Sequence, residues 1–314
     1  MDKFEHNIYL SEGRNPVISL IVILLLAFSG FQAIGPIIGV LLTLPFFDFD
    51  IMHAIDVLSD PVGHEEAKTP IFIIQGLASA FGFIVIPIIY LRFVVRKPLR
   101  MFFNNLSLRS WPIFLLTFIV LSFMFVNSIF IEWNANFKFP ESMAALENTL
   151  KSLEEAAKVQ TEFLTAFNNF QQFFLAFLVI AVIPAIGEEL LFRGFVQNLL
   201  KSITGNIHIA VWVAGFLFSA FHLQFYGLVP RMLLGVLFGY LYYWSGSLST
   251  AMLAHFINNG FTIIMMYLYQ QNVTDLDVET EESLPATFLL ILFVLFLGLI
   301  YFYRNFFLKN KTVG

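Results

Sequence analysis

Apolar runs of about membrane length recur along this chain, separated by short polar stretches. A helix needs about 20 apolar residues to cross a hydrocarbon core about 30 Å thick. Eight runs are candidates, at residues 17–45, 71–94, 112–131, 164–186, 207–222, 229–245, 249–270 and 286–303. The pattern predicts an all-α fold, a polytopic membrane helical bundle of about eight transmembrane helices. The first run holds Gly30, Gly35 and Pro36, which predict a kink or a re-entrant end. The fourth run is expected to continue as helix to about Lys201. Neither an internal repeat nor a low-complexity linker interrupts the pattern, so residues 1–314 read as a single membrane domain. One segment has a different rhythm. "ESMAALENTLKSLEEAAKVQTEF" sets Met143, Leu146, Leu150, Leu153 and Ala157 on one helix face. That spacing predicts an amphipathic connector lying on the membrane surface.

Composition sharpens this picture. Of 314 residues, 58% are hydrophobic and only 12% charged, against about 25% charged in a soluble domain. The net charge of −5 offers no basic surplus, so no nucleic acid partner is expected. There is no cysteine, which excludes disulfides, thiolate metal sites and cysteine nucleophiles. The first 16 residues are polar and contain acids, unlike a cleaved signal peptide, so the first apolar run reads as a retained span. Residues 92–109 carry Arg92, Arg96, Lys97, Arg100 and Arg109 without an acid, whereas residues 48–66 and 275–282 are acidic. The positive-inside rule then puts both termini in the cytoplasm.

Ionisable residues inside spans are costly, and mark function or a buried pair. Three places stand out: Glu188, Glu189 and Arg193 in "EELLFR"; His222 in "FSAFH"; His255 and Asn259 in "HFINN". Glu188 lies 17 residues before Gly205 and His222 lies 17 after it. If the arms are antiparallel helices, each side chain stands about 25 Å from the turn at 1.5 Å per residue. The two groups are therefore expected level and facing. Pro184 and Gly187 interrupt the arm just before Glu188 and are expected to free a backbone carbonyl near the site. His255 and Asn259 share one helix face at i, i+4. His255 lies about 13 Å past the turn at Gly246, shallower than Glu188 unless the first two arms protrude. Glu189 and Arg193, also at i, i+4, read as an ion pair that lowers the cost of burying either charge. Glu188 is left without a partner on its own face, as a general base needs to be. A glutamate and a histidine around one water suit amide hydrolysis, with His255 and Asn259 donating to a developing oxyanion. The same residues also suit a divalent metal held by His222, His255 and a carboxylate, with an open position for water.

These three segments resemble EExxxR, FxxxH and HxxxN, the ordered motifs of the CPBP intramembrane protease family. That family includes type II CAAX prenyl endopeptidases and bacteriocin-processing or bacteriocin-immunity (Abi-like) proteins. The resemblance covers about residues 165–270, the expected catalytic core. It implies an intramembrane endopeptidase that cuts a protein or peptide substrate at the lipid bilayer of a bacterial cytoplasmic membrane. Glu188 and His222 would activate water, His255 and Asn259 would stabilise the oxyanion, and Glu189, Arg193 and Phe218 would support them. If the enzyme is metal-dependent, Glu188, His222 and His255 would hold a divalent metal such as zinc; otherwise no cofactor is implied.

Other polar positions read differently. "HEEAK" at 64–68 begins like HExxH but has Lys68 at the second histidine position. His6, His53 and His208 read as loop or interface residues, and Arg231 as a side chain snorkelling to the outer interface. Tyr240, Tyr242, Tyr243 and Trp244 read as an interfacial aromatic belt. No Gly-x-Ser-Gly turn suggests a serine intramembrane protease, and no paired intramembrane aspartates suggest an aspartyl one. Two other classes stay open: a non-catalytic immunity or scaffold protein on the same fold, and a proton-coupled transporter built on the buried charges.

Overall fold

The computed structural model describes residues 10, 13–103, 109–276 and 284–311, and among them there are helices but no strand. In chain order the main helices are α1 (Pro16–Phe47), α2 (Ile51–Ser59), α3 (Glu65–Val95), α4 (Ser110–Ala135), α5 (Ala144–Thr165), α6 (Phe170–Thr204), α7 (Ile207–Ala220), α8 (Leu228–Ser245), α9 (Leu248–Gln270) and α10 (Ala286–Lys311). His6 and most of the acidic 275–282 loop lie outside the described residues.

All eight expected runs are helical, but six are long and apolar enough to cross a membrane: α1, α3, α4, α6, α9 and α10. Helix α7 has only 14 residues, about 21 Å of rise against a core of about 30 Å. Helix α8 carries Pro230, Arg231 and a tyrosine-rich end, which lower its apolarity. With these spans the chain is an integral membrane protein.

Local chemistry sets the helix ends. Asn15, Asn169 and Asn206 accept backbone N–H bonds at the starts of α1, α6 and α7. Gly205 and Gly246 close α6 and α8 in the left-handed conformation, with φ of +65° and +67°, which glycine adopts without strain. The kink expected in α1 is a π-helical turn over Gly30–Ile34, ahead of Pro36.

Helix α6 sits at the centre. Every residue from Glu189 to Leu200 is buried, and Leu191, Phe195, Val196 and Leu199 anchor the main hydrophobic cluster. Small residues bring neighbours close to it. A Cβ on Gly187 would stand 2.7 Å from Phe83 Cβ, so α3 and α6 touch there. Gly215 and Gly235 play the same part where α7 crosses α8. Helix α5 is the expected surface connector. Met143, Leu146 and Leu153 are exposed, while Glu147, Leu150, Glu154 and Ala157 turn toward the protein. Its C-terminal end is tied down: Lys68 Nζ donates to Ala166 O, and Gln270 Nε2 donates to Thr165 O.

Candidate active site

Glu188 and Glu189 end a short α-helical stretch of α6, Ile183–Glu189, between two π-helical stretches, Phe177–Val182 and Leu190–Gln197. π-Turns interrupt the regular ladder and recur at functional sites. Pro184 has no N–H to offer the carbonyl four residues earlier, that of Ile180. Asn259 Nδ2, on α9, donates to Ile180 O at 2.9 Å instead. The carbonyl expected to be freed by the proline is thus the one that docks α9 onto α6.

Glu189 is the hub. It is fully buried, and its Oε1 accepts from Arg193 Nη1 at 2.8 Å and from His255 Nδ1 at 2.9 Å. Arg193 is equally buried; its Nη2 donates to Gly235 O at 2.8 Å, and its guanidinium lies 4.7 Å from the Phe218 ring centre. The ion pair read from the i, i+4 spacing is present, and it extends to α8 and α9. Phe218 packs against the same group. Its ring covers Arg193 and meets both His222, at 5.4 Å, and His255, at 6.0 Å, edge to face.

His255 is buried and clamped. Phe238 stacks on it at 5.3 Å. Its Nδ1–H donates to the Glu189 carboxylate, and its Nε2 lies 3.2 Å from Asn259 Nδ2 and 4.0 Å from Glu188 Oε2. Asn259 Oδ1 accepts from Asn258 Nδ2 at 2.9 Å. His255 reaches Glu188 although it stands only nine residues from its turn at Gly246, against 17 between Glu188 and Gly205.

His222 stands just past the end of α7, at the mouth of this group. It is accessible, yet protein surrounds it on most sides. Its Nδ1 donates to Phe218 O at 3.0 Å, which leaves the Nε2 lone pair free. Among the described residues no direct ion pair or hydrogen bond joins His222 to Glu188; the imidazole in contact with Glu188 is that of His255. His222 and Glu188 nevertheless share two electrostatic neighbours, His255 and Arg231.

Arg231 corrects the reading of a snorkelling side chain. Its guanidinium turns inward: Nη2 donates to Gln224 Oε1 at 2.9 Å, and Nη1 is buried without a protein partner. Gly227 makes the space, since a Cβ there would meet Nη2 at 2.9 Å. Gln224 Nε2 and the Tyr226 backbone N–H both donate to Glu154 on α5, each at 3.2 Å. The surface connector thus braces the loop that carries His222. Nothing in the sequence motifs points to Arg231, Gln224 or Glu154; an arginine after a proline at the start of a span is the one signal available.

The other histidines lie elsewhere. His53 faces Glu66 at 3.3 Å and His208 meets Tyr240 OH at 2.7 Å. Among the described residues no three His, Asp or Glu side chains are arranged to hold a metal ion.

Residues 170–261 match the family described as Type II CAAX prenyl endopeptidase Rce1-like. The matched segment runs from the start of α6 to the middle of α9 and contains every motif residue described above. Over 84 residues, 26% of this chain, the sequence is 31% identical to the uncharacterized protein YpbD of Bacillus subtilis (strain 168). The match spans 40% of that relative's length. No solved structure matches the chain at a significant level.

Proposed function

We propose that this protein is an intramembrane endopeptidase that hydrolyses a peptide bond with a water activated by Glu188 and His222. The observation that carries the proposal is the meeting of α6, α7 and α9 on one group of polar side chains inside an otherwise apolar bundle. Glu188 is the carboxylate left without the ion-pair duty that Glu189 performs. His222 presents a free Nε2 lone pair at the mouth of the same group. A water between them gives up its proton as it attacks the scissile carbonyl carbon. His255 and Asn259 form the facing wall, held in register by Glu189 and by the Ile180 carbonyl. Residues 165–270 act as the catalytic core, and the remaining helices shape its access from the bilayer. The substrate is a protein or peptide presented at the membrane, in line with the prenyl endopeptidase description of the matching family. Both termini face the cytoplasm, on the side of the arginine-rich 92–109 loop.

The test is a comparison of membrane and secreted peptides from cells carrying the wild type, Glu188→Gln or His222→Ala. Glu188→Gln is expected to fold and to lose cleavage by at least 10²-fold, the scale of a general base. A peptide set identical in wild type and Glu188→Gln cells would refute water activation by this carboxylate.

A further inference from the structure

Far from the motif residues, the start of α1 and the end of α3 leave a cleft of about 350 Å³ between them. Ile18, Val22 and Leu26 line one wall, at i, i+4 and i+8 of α1, and Tyr90 and Val94 line the other. Ile18, Val22, Leu26 and Val94 are exposed, so no protein group fills the space they face. Tyr90 is buried and meets the Phe195 ring of α6 at 6.0 Å, which fixes the floor. From Ile18 to Leu26 is about 12 Å of rise, against about 15 Å for half a hydrocarbon core. The cleft therefore has the depth of one leaflet.

Arg14 stands at its mouth. Its guanidinium spans the two helices: Nη1 donates to Val94 O on α3, and Nη2 donates at 2.8 Å to Leu10 O, just ahead of α1. These bonds fix the fork and use two of its five N–H groups. Nε is buried and has no partner, and a buried guanidinium N–H without an acceptor is costly to keep. Among the described residues no carboxylate pairs with Arg14. A fixed guanidinium with an uncommitted edge matches a phosphate, which it can hold with paired N–H bonds. Arg92, Arg96 and Arg100 are exposed on the same side, next to Val94. A basic rim on a pocket between spans favours anionic headgroups.

We propose that the cleft between α1 and α3 binds an anionic glycerophospholipid, with its phosphate on Arg14 and one acyl chain along Ile18, Val22 and Leu26. The walls call for hydrocarbon and the mouth calls for negative charge, and this ligand supplies both in one molecule. A helix from a second copy of the chain fits less well. The spans that end on this side carry Arg109, Lys201 and Lys309, so like charges would meet at Arg14. None of the cleft residues belongs to the proposed catalytic group, so the lipid site stands or falls apart from the endopeptidase reading.

The test is native mass spectrometry of the full chain in neutral detergent, with an equimolar mixture of phosphatidylglycerol and phosphatidylcholine. One retained phosphatidylglycerol is expected, preferred over phosphatidylcholine by about tenfold or more. Arg14→Gln is expected to lower phosphatidylglycerol binding by about 10- to 100-fold, the scale of a hydrogen bond to a charged group, and to erase the preference. Val22→Trp, which fills the cleft and leaves Arg14 in place, is expected to lower phosphatidylglycerol binding to a similar extent. It also answers the case in which Arg14→Gln, by untying α1 from α3, fails to fold. Equal retention of the two lipids by wild type, or unchanged phosphatidylglycerol binding in either variant, would overturn the proposal. Displacement of the lipid by an equal concentration of inorganic phosphate or of oleate would also overturn it, because the site would then hold a free anion or a fatty acid. A wild-type dimer that Val22→Trp splits would do the same, because a second copy would then fill the cleft.

Discussion

Arg193→Met is the sharpest test of how this site is held together. The substitution keeps apolar bulk under Phe218 and Phe238 but removes the guanidinium. Glu189 then keeps one donor, His255 Nδ1, where it had two, and its Oε2 already has no partner among the described residues. Gly235 O loses its donor as well. Breaking a buried pair from one side costs about 3–5 kcal/mol, because the remaining charge stays in a low-dielectric surround. At about 2–4 °C per kcal/mol for a chain of this order of size, the apparent melting temperature should fall by roughly 6–20 °C. The assay is thermal unfolding of purified protein in detergent, followed by tryptophan fluorescence at a fixed scan rate, since membrane protein unfolding is commonly irreversible. A second substitution makes the reasoning specific. Glu189→Gln in the Arg193→Met background removes the stranded charge, yet keeps an amide oxygen for His255 Nδ1–H. The double variant should recover about 1–3 kcal/mol relative to Arg193→Met, the usual range for coupled neighbours. An unchanged melting temperature in Arg193→Met, or a double variant no more stable than the single, would refute the buried-pair account.

Two further outcomes follow from the packing. Asn259→Ala should lose cleavage and about 1–3 kcal/mol of stability, because Ile180 O is left buried without a donor. The added substitution Pro184→Ala should restore part of that stability by supplying an N–H, as read in the same melting assay; no recovery would break the link between the proline and the asparagine. Gly187→Ala should force α3 and α6 apart and cost about 1–3 kcal/mol, the range for overpacking, since its Cβ would stand 2.7 Å from Phe83 Cβ. Gly298→Ala on α10, where nothing lies within 4 Å, is the matched control and should melt like wild type.

How much of this was legible in the sequence depends on which coordinate of a helix is asked for. Position along the axis reads well from residue counts. The eight apolar runs became helices, the Glu189–Arg193 spacing became a buried pair, and the carbonyl released by Pro184 lies within reach of Asn259. Among the described residues, six of the eight are long and apolar enough to cross a membrane, because apolar character marks a helix before it marks a crossing. Helix α7 is apolar but too short, and α8 pays for Pro230 and Arg231 in hydropathy. Rotation about the axis reads poorly. Counting 17 residues either side of Gly205 set Glu188 and His222 level, but it could not say which imidazole Glu188 would face. The two π-helical stretches flanking Glu188 explain why. Each π-turn takes in an extra residue, and one residue turns every later side chain by about 100°. Periodicity of 3.6 therefore cannot carry a facing direction through residues 177–197. The same limit hid Arg231, whose direction is set by a missing Cβ at Gly227 and by Gln224 rather than by its place in α8. Buried polar chemistry in this bundle is thus located by depth, which sequence supplies, and assigned by rotation, which only packing supplies.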